Sequence, residues 1–135
     1  VPIEPGLTAT VRRAVGPDDT AATLGSGDLD VLGTPRLLAW CEQATVAAVA
    51  PHLADTATTV GTRVDLAHER ASAVGSEVVV RADLVAVDGR LLRFDVVAEQ
   101  EQGDAGSTVV VGRATVTRVV VDRERFLARV TPPGT

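Results

Sequence analysis

Residues 34–53, TPRLLAWCEQATVAAVAPHL, are the one stretch of this chain that reads as a long helix, and the fold follows from what surrounds it. Thr34 stands where an N-cap belongs. Pro35 takes the first helical position, where its missing N–H costs nothing, and Pro51 stops the run. Leu37, Leu38, Cys41, Ala44, Thr45 and Ala48 recur at spacings of three and four, giving one apolar face built largely from small residues, which can lie close against a sheet. Glu42 falls at the border of that face, beside Cys41 and one turn after Leu38, so a carboxylate there needs a reason. His52 closes the segment, where a basic group suits the negative end of a helix.

Outward from the helix the chain reads mostly as strand. Residues 7–15, LTATVRRAV, alternate apolar and polar side chains as a first strand whose register weakens at Arg12 and Arg13. Residues 16–33 are rich in turn formers and acidic residues and read as a long loop, of a kind used as a lid or binding loop or left disordered. After the helix, VGTRVDLAHER (60–70) places Val60, Thr62, Val64, Leu66 and His68 on one face, and Gly61, Arg63, Asp65, Ala67 and Glu69 on the other. If the valines and leucine face the core, His68 points inward with them.

Residues 77–87, 90–101 and 108–121 supply three more strands, joined by an Asp88-Gly89 hairpin turn and by QGDAGS at 102–107. Gly112 breaks the last strand, as a bulge or as a place of close approach by a ligand. Residues 122–135 offer Phe126 and Leu127 for packing and end in a proline-rich tail expected to be loose. The order predicts an α+β fold, a five-stranded antiparallel sheet with one helix across its concave face. It forms a single domain over 1–135 with its core at about 7–127. One helix leaves the outer face of a Val-rich sheet, or its edge strand, uncovered, which predicts a homodimer, with tetramers left open.

Composition removes several classes of function. Aromatic residues make up 2% of the chain and the formal charge is −5, so there is little to stack on nucleic-acid bases and a net repulsion from phosphate backbones. The single cysteine excludes an intrachain disulfide and fits a reducing, cytoplasmic setting. No apolar run of membrane-spanning length is present, and the first residues lack the order of a signal peptide, so no membrane partner is expected. Two histidines with no cysteine or carboxylate cluster define no metal site, and no cofactor is implied.

Three pieces together carry a resemblance: VLGT (31–34) with Thr34, WCEQATVAAVAPHL (40–53) with Glu42, and VGTRVDLAHERASAVG (60–75) with Gly61, Thr62 and His68. Over roughly 29–121 the chain resembles the hot-dog-fold thioesterases, in particular the fluoroacetyl-CoA thioesterase-like group. That resemblance implies a curved sheet wrapped around its helix, dimers with active sites at the subunit interface, and a catalytic set of Thr34, Glu42 and His68 acting on an acyl-CoA thioester. The fluoroacetyl-specific members carry aromatic residues before the helix. GSGDLDVLG (25–33) has none, which points to another small acyl group.

Thioester hydrolysis needs an attacking water or carboxylate, a stabilised oxyanion and an acid for the departing thiolate. Glu42 suits the role of general base or of nucleophile, and His68 that of holding Glu42 or the thioester sulfur in place. Thr34 suits both a cap and a substrate contact. Gly61 and Thr62 are read as substrate-binding. Among Arg36, Arg63, Arg113 and Arg118, Arg113 ranks first as the partner of coenzyme A phosphates. The alternatives are a non-catalytic acyl-CoA or small-ligand binding protein and a hydratase or dehydratase of the same fold.

Overall fold

The computed structural model describes residues 2–103 and 106–134, so residues 104–105 of the QGDAGS turn lie outside the described residues, as do 1 and 135. Five strands, β1 (Thr8–Ala14), β2 (Ala57–His68), β3 (Glu77–Asp88), β4 (Leu91–Glu101) and β5 (Thr108–Asp122), form one antiparallel sheet in the order β1-β3-β4-β5-β2. A long helix, α2 (Thr34–Val49), lies on its inner face and touches all five strands, which is the α+β arrangement expected. No helix among the described residues is long and apolar enough to cross a membrane.

The small-residue face of the helix is what permits this. Cys41 and Ala44 are buried on this face, with Leu37 and Trp40 buried one turn before them. Opposite them, Val78, Val80 and Leu84 of β3 and Leu92, Phe94 and Val96 of β4 alternate inward and are fully buried. Each such side chain is worth about 1.5–3 kcal/mol on burial, so β3 and β4 anchor the fold.

Four local readings change. The helix begins at Thr34 itself, and Gly33, in extended conformation, is the N-cap, which leaves the Thr34 hydroxyl unused by the helix. The 16–33 stretch is ordered: it holds a 3-10 turn at Pro17–Asp19 and a short helix, α1 (Ala21–Leu24), capped by the Thr20 side chain. Its last residues return along its first, with Ala21 and Ala22 donating to the carbonyls of Val31 and Leu29. The outer face of the sheet carries ion pairs such as Arg12–Glu77 and Arg81–Asp83, and what the fold leaves open are the edges of β1 and β2. Lastly, 123–128 forms a third helix, α3 (Arg123–Ala128), whose Phe126 and Leu127 are exposed instead of packed.

Candidate active site

Strict alternation along β2 puts Gly61 and His68 on opposite faces. A bulge prevents this. The register to β5 shifts between Gly61 and Arg63, so Thr62 is the extra residue and Gly61 turns to the inner face that Val64, Leu66 and His68 share. Opposite Gly61 is Arg118, a buried residue whose three guanidinium nitrogens each donate a hydrogen bond. Its Nε donates to Thr59 Oγ1 at 2.9 Å, Nη2 to the Thr59 carbonyl at 3.1 Å and Nη1 to Glu42 Oε2 at 2.9 Å.

Glu42 therefore has its reason. Its carboxylate leans from the helix border into the space over Gly61, where any Cβ would overlap Oε2 and come within 3.1 Å of Arg118 Nη1. Gly61 does not adopt a left-handed conformation, so it is space and not backbone geometry that excludes a side chain there. Glu42 Oε1 makes no hydrogen bond among the described residues and faces a cleft of about 480 Å³, lined by Arg13, Ala39, Gln43, Val46 and Arg118 among others. Burial, and then the neighbouring Glu42 charge, push the Cys41 thiol up to about 12, so the cysteine is an inert packing residue.

A second pair forms at the far end of the helix. Thr34 Oγ1 lies 2.7 Å from His68 Nδ1, a contact open to Thr34 because Gly33 does the capping. His68 ends β2 opposite Gly112, where a Cβ would come within 3.0 Å of both the Ala67 carbonyl and Leu37 Cδ2. Gly112 thus answers to close packing by the helix and the neighbouring strand. Burial lowers the His68 pKa from 6.5, against a smaller opposing effect of the Arg70 backbone. Nε2 is buried without a partner in hydrogen-bonding geometry, so Arg70 acts on the ring's charge without satisfying that atom. A cavity of about 290 Å³ borders the pair, lined by Ala21, Ser26, Val31, Leu32, Arg70 and Ala71 with Thr34 and His68, and no aromatic side chain enters it.

Within one chain these two pairs stay apart. Thr34 and Glu42 are eight residues apart on the helix, or about 12 Å at its rise per residue. Gly61 and His68 are seven apart on β2, or roughly 20 Å.

The family model described as fluoroacetyl-CoA-specific thioesterase matches residues 15–124 of this chain. A fluoroacetyl-CoA thioesterase of Streptantibioticus cattleyicolor is 33% identical over 108 residues, covering 78% of this chain and 73% of that one. The chain belongs to this thioesterase family. Among solved structures, a threonine-to-serine variant of the fluoroacetyl-CoA thioesterase FlK in complex with acetyl-CoA superposes with a TM-score of 0.84 at 29% identity, covering 96% of this chain and 100% of that one. A Thermus thermophilus thioesterase superfamily member, 23% identical, shares the fold with a TM-score of 0.83 over 94% of this chain and 90% of that one. The fold of this thioesterase family member is thus the hot-dog fold.

The remaining sequence candidates are spread over the family scaffold. Thr62 sits exposed on the bulge, its hydroxyl 3.4 Å from the Thr117 carbonyl. Arg113 projects from the outer face, where its Nε pairs with Glu69 at 3.3 Å, and it lines neither the Glu42 cleft nor the His68 cavity. Arg36 pairs with Asp19 at 2.9 Å. The residue that sequence reasoning undervalued is Arg118. It was one arginine among four, on the inner face of β5 with Ala114 and Val116, and the carboxylate it meets comes from a distant helix.

Proposed function

We propose that this chain is an acyl-CoA thioesterase that hydrolyses a small acyl thioester with Glu42, His68 and Thr34, in a site completed between two copies. One observation carries the proposal: Glu42 is clamped by buried Arg118 over Gly61, and the Thr34–His68 pair lies seven residues further along the same strand, which is a free sheet edge. An antiparallel pairing of two β2 edges about a two-fold axis at Asp65, with Thr62 bulged out of the ladder, sets each Gly61 opposite the partner's His68. The β2 edge of each copy is covered, and the two separated pairs become one site.

With Oε2 held by Arg118, Glu42 Oε1 accepts the proton of an attacking water or itself attacks the thioester carbon. The partner's His68, oriented through Nδ1 by the partner's Thr34, stands on the leaving-thiolate side of the site. Coenzyme A as carrier is supported by the acetyl-CoA complex of a related protein. The lining of the cavity beside His68, free of aromatic side chains, supports a short acyl group other than fluoroacetyl.

Release of free thiol from a panel of short acyl-CoA substrates tests the activity. Glu42→Ala and His68→Ala should each lower it at least a hundredfold. A wild type that binds acyl-CoA yet turns over no thioester would make the protein a binding module. Mixing the two inactive variants tests the shared site. Random exchange yields hybrids in which one of two sites is intact, restoring about a quarter of wild-type activity. Mixtures that stay inactive after confirmed exchange place the set within one chain.

A further inference from the structure

Among the described residues, five arginines are ion-paired, Arg12, Arg36, Arg81, Arg113 and Arg118. Three others, Arg90, Arg125 and Arg129, have no carboxylate partner among the described residues and converge on one cleft of about 420 Å³. Its walls are α3, the ends of β2 and β5, and the turn between β3 and β4. The single carboxylate in the lining, Asp122, is occupied as the N-cap of α3, where it accepts from the Arg125 backbone N–H at 3.0 Å. A chain of formal charge −5 thus gathers three arginines without carboxylate partners around one cleft.

The same cleft holds Phe126. The chain has three aromatic residues, and the other two, Trp40 and Phe94, are buried at 4% and 0% exposure, whereas Phe126 is 38% exposed. An exposed ring in a chain this poor in aromatics, ringed by guanidinium groups, matches a planar base carrying phosphates. Position agrees. Ala57 pairs with Asp122 at the cleft and Gly61 with Arg118 beside Glu42, four residues along the same ladder, or about 13 Å. An extended pantetheine arm spans that distance.

We propose that this cleft binds the 3′-phosphorylated adenine nucleotide of coenzyme A, with Phe126 stacked on the base and Arg90, Arg125 and Arg129 paired with the phosphates. The inference rests on the reading that the substrate is a coenzyme A thioester, and it gives the carrier's nucleotide end a site of its own.

Two measurements test it. In calorimetric titration with adenosine 3′,5′-bisphosphate, wild type should bind, Arg125→Ala/Arg129→Ala should bind about tenfold more weakly or worse, and Phe126→Leu should also lose affinity. Arg12→Ala/Arg93→Ala, the same charge change on the outer sheet face, should not. In turnover, the Arg125/Arg129 variant should raise KM for the best acyl-CoA about tenfold at nearly constant kcat, and leave the matching acyl-pantetheine unaffected. Arginine-dependent binding of the bisphosphate by a protein that hydrolyses no thioester would uphold the cleft and overturn the activity. Turnover with no bisphosphate binding, or an equal KM rise for acyl-pantetheine, would overturn the cleft and leave the activity standing.

Discussion

Gly61→Ala is the sharpest probe of how Glu42 is held. The backbone at Gly61 accepts alanine, so the whole effect comes from one methyl group placed where Glu42 Oε2 sits. To admit it the carboxylate must withdraw from Arg118 Nη1, breaking a charge-assisted hydrogen bond of 2.9 Å. Hydrogen bonds to charged groups contribute about 1.5–3 kcal/mol, and the reduced freedom of the unfolded chain on replacing glycine returns about 0.4–1 kcal/mol. Arg118 keeps both bonds to Thr59, which limits the loss from its burial. The net expectation is destabilisation of about 1–2 kcal/mol, or roughly 3–10 °C in Tm for a chain of this size.

Activity should fall further than stability. Moving a catalytic carboxylate by about 1 Å costs on the order of a hundredfold in rate. Thermal unfolding with thiol-release kinetics on the same preparations reads both. A double-mutant cycle isolates the cause, because in a Glu42→Ala background the added methyl no longer meets a carboxylate and most of the destabilisation should vanish. If Gly61→Ala destabilises equally with and without Glu42, or leaves rate and Tm unchanged, the carboxylate is not seated over Gly61 and the reasoning fails.

Three other outcomes follow from the geometry. Thr34→Val removes the hydroxyl at His68 but not the N-cap, which is Gly33, so urea unfolding should show well under the roughly 1 kcal/mol typical of losing a cap while activity drops at least tenfold. Thr34→Ser should retain most activity; a large stability loss in the valine variant would return Thr34 to a capping role. Because burial lowers the His68 pKa below 6.5, the unfolded chain binds a proton where the folded chain does not. The stability contributed by neutral His68 is complete above pH 6.5 and is lost as pH falls below it. Unfolding midpoints at pH 7.5 and 5.5 should therefore converge in His68→Gln, and parallel slopes in the two proteins would contradict the burial argument. Cys41, with its thiol pushed up to about 12, should be silent toward dithio-bis-nitrobenzoate in the native protein and titrate as one thiol after denaturation; prompt native labelling would mean the helix does not sit as described.

Much of this molecule was legible in the linear chain. Alternation set the strands to within a few residues, and the small-residue face of 34–53 marked the helix and the side it buries. Glu42 and His68 stood out as polar residues on or beside apolar faces and Thr34 as a cap, and it was the family resemblance that joined the three into one set. Outside its reach lay whatever depends on one inserted residue. Thr62 adds one residue to β2 and reverses the face of everything on one side of it, so Gly61 joins the inner face that Arg118 already shares with Ala114 and Val116, and no alternation rule anticipates the inserted residue.

Charge pairing was equally hidden. Arg113 and Arg118 are five residues apart on one strand and alike in sequence, yet one is an exposed partner of Glu69 and the other a buried clamp on Glu42. Side-chain type and period are local properties, and they determined the strands, the helix and the candidate residues. Which guanidinium meets which carboxylate, and whether a glycine makes room for it, depends on distances between segments far apart in the chain, and only tertiary packing decides them.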